Sequence, residues 1–598
     1  MTRNSLHGAL NLLLIVNLCF TSACTQEEQA QRVPVSKLVG RSADIQDKGS
    51  LLLFLDRDYT ELWEKGDSLE LIRELDLPAV KIQPALMSRP KNMAAARRLG
   101  LDRCFEIAFE PDCPMETVLE TLEQNPHVEA YQYNHTRRAA PVGEVKAAVK
   151  SSAEQWNLEM ISLAQARALC TPDPQIVVAV VDGPVNYGHK ELAENMWLNV
   201  AERDGLPGVD DDDNGYIDDV YGYNFAQNKG EIDWSASDEI GHATHVAGIV
   251  NSIATGVRIM SAQVFYGSSQ SSSDRQVGNA FIYAADNGAC IAQCSYGYDG
   301  GTYKTDNSYI NKWPFEYRAL KYFTDPENAN SPVLESNILV FAAGNETASY
   351  SSYPGALPFC VSVTAVNRKG YPASYTNYGL GCNIAAPGGD DDEGSEGKIL
   401  SAGIAEINGE YAYMSGTSMA CPHVSGVVAL GLSYAAELDR HFTNEEFMAL
   451  LYASVEDLDS KLSEASWKSY YKRMGTGLVD AWRMLMQVEG TPCALVAAGK
   501  ESRIDLKPYF GMGAATMTYS SVELDAEQSK SLEIVGEPQV KDGVLSIRCT
   551  AQGCGKIRIK AIAGGSVIGG PNGTGGSEIV REISLISRCD SADNNAWL

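Results

Sequence analysis

From Trp156 to about Gln487 the chain alternates apolar segments of strand length with segments whose apolar residues recur at helical spacing. IVVAVVD, RIMSAQVF, NILVFAAGN and FCVSVTAV read as strands, and HATHVAGIVNSI, VGNAFIYAADNG and SMACPHVSGVVALGLSYAAEL read as helices. A strand that is apolar at nearly every position has to be covered on both faces, and a helix between successive strands is the connection a parallel pair needs. The alternation therefore predicts an α/β fold, a parallel sheet flanked by helices on both faces.

The flanking regions follow other patterns. Residues 51–134 read as a small α+β unit, with strands GSLLLFLD, CFEIAFEP and HVEAYQYN and helices ELWEKGDSLELIREL and METVLETLEQ. Residues 135–155 are polar and small with no core pattern, as a linker would be. From 488 to 598 short strands such as SRIDLKPYF, VLSIRCTA, GKIRIKAIA and EIVREISLIS alternate with Gly-rich turns, which predicts a C-terminal β-sandwich. The tract GGSVIGGPNGTGG lacks the GK[ST] ending of a phosphate loop and is expected as a hairpin loop.

A formal charge of -29 excludes a nucleic-acid partner, since phosphate binding needs a basic footprint. At the N-terminus Arg3, the apolar ALNLLLIVNLCF and the small FTSAC have the layout of a secretory signal over residues 1–23, too short to span a bilayer as a mature helix. Thr21-Ser22-Ala23-Cys24 resembles a bacterial lipoprotein signal, which implies lipidation at Cys24, a mature chain starting there, and attachment to the cell envelope through that lipid alone. All but two of the 14 cysteines lie beyond Cys24; export permits disulfides among them, but spacing assigns no pairing and no paired CxxC suggests zinc.

Three fragments carry residue types that chemistry uses. Ser418, in YMSGTSMACPHVSGVVAL, stands where a glycine-broken turn enters a helix, the position of a helix cap or of a nucleophile. Asp182 ends the strand IVVAVVD, where a parallel sheet presents site residues and where turn residues are also common. His242 and His245 lie one turn apart in EIGHATHVAGIV, a spacing that could ligate a metal, although the Glu of HExxH is missing.

Taken together, VVDGPVNYGHKEL, GHATHVAG and GTSMACPHVSG resemble the subtilisin-like serine proteases in motif and in the order Asp, His, Ser. VFAAGNE, ASYTNYG and IAAPGG match further signatures of that family, and the resemblance covers residues 156–487. Ala243 stands where Gly is usual, and Gly183-Pro184 replaces a Thr/Ser-Gly pair. A monomer is expected, and the resemblance implies an enzyme that hydrolyses protein or peptide substrates, with Ser418 as nucleophile, His242 as general base, Asp182 orienting the imidazole and Asn345 donating to the oxyanion. It also implies pocket walls at Ser295-Tyr296-Gly297 and Ala342-Ala343-Gly344, with Ser352 near the floor; none is charged, which favours an apolar side chain before the scissile bond.

The same resemblance makes 24–134 an inhibitory propeptide, the protein's own first partner, with self-cleavage between about Asn134 and Gln155. Such a zymogen would be exported, and cutting the linker would separate the peptidase from a lipid on Cys24. Between Asp182 and His242 the run GVDDDDNGYIDDVYG places Asp210, Asp212 and Asn214 at alternate positions before Gly215, followed by Tyr216 and Asp218. This is most of an EF-hand-type loop, and its hard oxygen ligands suit structural Ca2+; the twelfth position is Tyr221 where that loop has Glu. The acidic run at 388–397 lacks such spacing and is expected as a solvated insertion. Two other readings stay open: a catalytically silent binding lipoprotein, in which Pro184 re-aims Asp182, and a metallohydrolase using His242 and His245.

Overall fold

The computed structural model describes residues 49–588 except 65, 67, 111, 137–144, 149–154, 268–269, 525–527 and 564–576. The signal segment, Cys24 and the glycine tract lie outside the described residues. Two compact units emerge: the chain up to Ala85 with Arg103–Asn134, and Leu86–Asp102 with the chain from His135 onward.

The first unit is a four-stranded antiparallel sheet in the order Ala79–Pro84, Cys104–Phe109, Ser50–Leu55, Val128–Tyr133. Its core is closed by Leu51, Leu53, Phe105, Ile107, Val118, Leu122 and Tyr131, to which the helix Met115–Gln124 contributes one apolar stripe.

The second unit holds a nine-stranded sheet. Its order is Val455–Glu456, Leu478–Val479, Ile384–Pro387, Cys360–Val366, Ile338–Ala342, Ile291–Cys294, Val177–Asp182, Arg258–Gln263, Gly222–Asn224, parallel throughout except at the first pair. Val177–Asp182, Ile338–Ala342 and Cys360–Val366 are buried at every position, which accounts for their predominantly apolar sequence, with Ser362 and Thr364 as buried polar exceptions. The strands that follow Val177–Asp182 lie first on one side of it and then on the other, so its carboxyl end is the switch point where such sheets open a crevice. The helix Thr417–Glu437 is long and apolar enough to cross a bilayer, but it is buried against the sheet and against the helices His242–Ile253 and Ala481–Glu489.

Leu86–Asp102 belongs to this second unit. Its helix, Met93–Leu99, is capped by the Asn92 side chain on Ala95 N and ended by left-handed Gly100. Met87 N donates to Asn279 Oδ1 (2.8 Å), Asn92 N to the Tyr322 hydroxyl (3.1 Å), and Arg98 pairs with Asp325 (2.7 Å). Polar anchors of this kind leave no apolar period, so the α+β reading of 51–134 did not separate the arm.

The C-terminal region forms two packed sheets around Leu506, Leu532, Leu545, Cys549, Ile559, Ile583 and Leu585. The strands Gly553–Ala563 and Ser577–Arg588 pair antiparallel from Gly553↔Ser587 to Ala563↔Ser577. This sandwich shares buried polar chemistry with the α/β part. Arg588 Nη2 donates to Ser162 Oγ (2.5 Å) and lies 3.3 Å from both Glu456 Oε1 and Asp480 Oδ2, while Trp482 Nε1 donates to Ser584 Oγ (2.6 Å). Removing one partner of a buried ion cluster strands the other charges. Arg588→Ala is expected to lower stability by about 3 kcal/mol, read as a lower urea midpoint, and an unchanged midpoint would contradict the joint.

Candidate active site

Asp182 leaves the sheet at the switch point with its side chain buried. Its Oδ1 accepts from Gly183 N (2.7 Å) and meets His242 Nδ1 at 2.9 Å, so Pro184 does not turn the carboxylate away. A carboxylate only accepts, which puts the ring hydrogen on Nδ1 and leaves Nε2 as the basic nitrogen. Nε2 is buried and has no hydrogen-bond partner among the described residues. Burial alone would lower the imidazole's pKa; the charge and hydrogen bond of Asp182, with the Glu239 charge added, outweigh it and leave the pKa raised.

His245 differs. It is fully buried, its Nε2 donates to the carbonyls of Ile399 (3.1 Å) and Ala412 (3.0 Å), and burial pulls its pKa down to about 3. Its Nε2 is thus not open to a metal, and among the described residues neither group of side chains that could hold an ion includes His242 or His245.

Ser418 is the second residue of the helix Thr417–Glu437, entered from the strand Tyr411–Met414 through Ser415-Gly416. Pro422, four residues on, lacks an N–H, so the Ser418 carbonyl has no helical donor. Ser295 Oγ fills that role at 2.7 Å, and Ser418 Oγ donates back to the Ser295 carbonyl at 3.2 Å. Gln293 Nε2 holds Ser295 Oγ in turn at 2.8 Å. The proline thereby ties the helix start to the end of the strand Ile291–Cys294.

Asn345 Oδ1 accepts from Thr417 N (2.9 Å) and Thr417 Oγ1 (2.8 Å), and Gly344 N donates to Thr417 Oγ1 (3.2 Å). Since a backbone N–H can only donate, the amide orientation is settled and Nδ2 faces the Ser418 side. A Cβ built on Gly416 would lie 3.5 Å from Ser418 N and 3.6 Å from Asn345 Nδ2, so both donors border one small space.

The expected pocket segments come together. Ser352 N donates to Ala343 O (2.9 Å) and Tyr298 N to Tyr353 O (2.8 Å); a Cβ on Gly297 would meet Ser352 Cβ at 2.8 Å, and one on Gly344 would meet Ser352 Oγ at 2.4 Å. Tyr296 and Ala342 are buried on the neighbouring strand ends. A carboxylate that the sequence reading passed over, Glu346, also borders Gly344; its Oε2 accepts from Asn377 Nδ2 (2.6 Å) and Gly300 N (3.1 Å).

In the acidic loop the structure gathers Glu202, Asp212 and Asp219, with one oxygen of each within 4.8 Å of the others. Asp219 is fully buried, accepts from Asn199 Nδ2 (2.9 Å), Asn214 Nδ2 (3.1 Å) and the Tyr283 hydroxyl (2.6 Å), and is pushed up to about 7 by burial. Asp210 instead accepts from Asn214 N and Gly215 N, and Asp218 from Gly208 N. The Tyr216 ring is buried edge-on to Tyr223 (4.7 Å) and Tyr283 (4.9 Å), anchoring the loop. Glu202 lies before the motif and Asp219 just past its ninth position, so loop spacing could not reveal either.

The acidic run at 388–397 is not simply solvated. Asp390 is buried and accepts from Ser374 N (2.7 Å) and Oγ (2.9 Å); Asp391 pairs with buried Lys398 (2.9 Å) and accepts from Ser415 Oγ, and Gly416 N donates to Gly388 O (3.0 Å). Its neutralising lysine follows the run directly and its serine donors come from segments on either side, so the run braces the turn before Ser418 while Asp392 and Glu396 face solvent.

The proline link makes a measurable claim. Ser295→Ala leaves the buried Ser418 carbonyl unpaired and is expected to cost about 1–3 kcal/mol. In a Pro422→Ala background the new N–H at 422 supplies the helical bond, so the same change should cost less. A double-mutant cycle on urea midpoints checks this.

Comparison with known proteins agrees with the geometry. The chain is 28% identical over 339 residues to subtilisin-like protease 1 of Plasmodium berghei (strain Anka), covering 53% of the chain and 52% of that protein. It is 30% identical over 264 residues to the thermophilic serine proteinase of Bacillus sp. (strain AK1), covering 42% and 51%. The chain thus spans about half the length of these relatives. Among solved structures, fervidolysin from Fervidobacterium pennivorans, a keratinolytic enzyme related to subtilisin, shares the fold with TM-score 0.51 at 18% identity over 92% of this chain and 77% of its own. The sequence profile of the subtilase family, peptidase family S8, matches residues 173–471, half of the chain and the whole of the site around Ser418, and the chain belongs to that family.

Proposed function

We propose that the protein is a serine endopeptidase. The single observation that carries this reading is the buried Asp182–His242 hydrogen bond at 2.9 Å, which leaves Nε2 basic and without a partner among the described residues. His242 takes the Ser418 proton as the hydroxyl attacks a peptide carbonyl, then returns it to the leaving amine. Asp182 holds the tautomer and stabilises the imidazolium. Asn345 Nδ2 and Ser418 N donate to the oxyanion. Ser418 Oγ rests on the Ser295 carbonyl, and catalytic hydrogen bonds commonly tighten only when substrate is bound. The donation of His245 Nε2 to two carbonyls disfavours the metallohydrolase reading.

Substrate would be a protein or peptide, with the side chain before the scissile bond between Ser295–Gly297 and Ala342–Gly344. Export as a zymogen, lipidation at Cys24, a monomeric state and cleavage between Asn134 and Gln155 complete the proposal. Two parts of the linker support it: Thr136 bridges to Ser273, and Lys146–Ala148 pairs antiparallel with Tyr411–Met414, the strand that runs into the nucleophile turn. Ser418→Ala and His242→Ala are expected to abolish casein hydrolysis while keeping the wild-type melting temperature. Intact mass should then show wild type starting within the linker and Ser418→Ala keeping its N-terminal unit; hydrolysis near wild type in either variant refutes the mechanism.

A structural calcium fits the acidic loop, because Glu202, Asp212 and buried Asp219 crowd like charges that a hard cation offsets. Its contribution would be to stiffen the segment between Asp182 and His242, with Glu202, Asp212 and Asp219 as the holding carboxylates. Chelation is expected to lower the melting temperature by several degrees, and readdition of calcium to restore it. An unchanged melting temperature excludes the site.

A further inference from the structure

Glu239, three residues before His242, is a second buried carboxylate beside the catalytic pair, only 8% exposed. Its Oε1 accepts from Ile240 N (3.0 Å) and Gly241 N (2.8 Å). Gly241 is left-handed (φ 70°) at the entry to the helix His242–Ile253. From the other side Asn408 Nδ2 donates to the Ile240 carbonyl (2.7 Å), Asn408 Oδ1 accepts from Ile404 N (2.8 Å), and a Cβ on Gly241 would come within 3.0 Å of Asn408 Nδ2. The turn that presents the imidazole is thus pinned at both its amides and its carbonyl.

The other oxygen looks towards Asp182: Oε2 lies 3.9 Å from where a Cβ on Gly183 would stand. The charged and titratable groups facing the imidazole are then Asp182 from the strand, Glu239 from the preceding turn and His245 from the next turn of its own helix. His245 is neutral, and the Cys294 and Cys421 thiols near Asp182 are pushed up by burial and neutral as well. Glu239 is therefore the one additional charge on the pair among these groups. Burial pushes its own carboxyl up, against the two amides and the protonated imidazole, which hold it back.

We propose that Glu239 is a second acidic positioning residue for His242: one oxygen sets the turn that aims the imidazole, and the carboxylate charge favours the imidazolium formed when Ser418 gives up its proton. The inference rests on the protease reading and extends it from one carboxylate to two.

The sign follows from linkage. A neighbouring negative charge raises the pKa of a histidine, and a general base is lost as pH falls through that pKa. Neutralising Glu239 should therefore move the acid limb of kcat/KM to lower pH. Glu239→Gln keeps an oxygen for the two amides and removes only the charge, whereas Glu239→Ala removes both. For Glu239→Gln we expect the acid limb to fall by roughly half a pH unit or more, with kcat on the plateau reduced about two- to tenfold and KM unchanged. Glu239→Ala should show the same shift, a larger loss of kcat and a lower melting temperature.

The imidazole titration of His242, followed by NMR in Ser418→Ala with and without Glu239→Gln, reads the same shift without turnover. A fall in both the kinetic limb and the titration supports the proposal. If both stay in place, Glu239 is a cap and nothing more, and the proposal is overturned. If wild type has no hydrolysis that Ser418→Ala removes, the protease reading fails, while the titration still reports whether Glu239 acts on His242.

Discussion

Burial of the sheet on both faces is the constraint from which the site follows. Adjacent parallel strands ending at one edge deliver Asp182, Ser295 and the Ala342–Asn345 stretch side by side, and the register leaves little freedom in their spacing. Only the helices that return across the sheet can add the remaining groups. The helix at His242 brings the imidazole to Asp182, and the helix at Thr417 brings Ser418 to Ser295. Each starts at a glycine, where the chain can turn without a side chain intruding.

Polar groups placed in such an interior must be paired, and the pairing explains several features with no apparent role in the chemistry. Pro422 strips the Ser418 carbonyl of its helical partner, and Ser295 supplies one from the sheet. Thr417 satisfies Asn345 Oδ1 and thereby aims Nδ2. Lys398 and Ser415 gather on Asp391, so the acidic run becomes a brace behind the turn before Ser418. Arg588 carries the same logic to the joint with the sandwich, where its charge is set among Ser162, Glu456 and Asp480.

Much of this was legible in the sequence. The helix read as HATHVAGIVNSI spans His242–Ile253, and the buried strands appear where unbroken apolar runs predicted them. Segments held by other means were missed: the strand Ala79–Pro84, whose pattern is half exposed, and the helix Met93–Leu99, held by Arg98 on Asp325 and, just before it, by backbone amides on the Asn279 side chain and the Tyr322 hydroxyl, about 190 to 230 positions away. ELWEKGDSLELIREL, read as one helix, is two, Arg57–Glu64 and Ser68–Glu74, separated around Gly66, which is left-handed (φ 85°).

The sequence by itself determined the α/β alternation, the order of Asp182, His242, Asn345 and Ser418, and the family, because motif and period are local properties that a chain displays before it folds. Tertiary structure decided which carboxylates lie together. Asp219 rather than Asp210 joins Asp212 and Glu202, and Glu239 joins Asp182 at the imidazole. The reason is physical: the energy of a charge depends on its burial and on neighbours that come from distant parts of the chain, and neither is written in the spacing of residues along it.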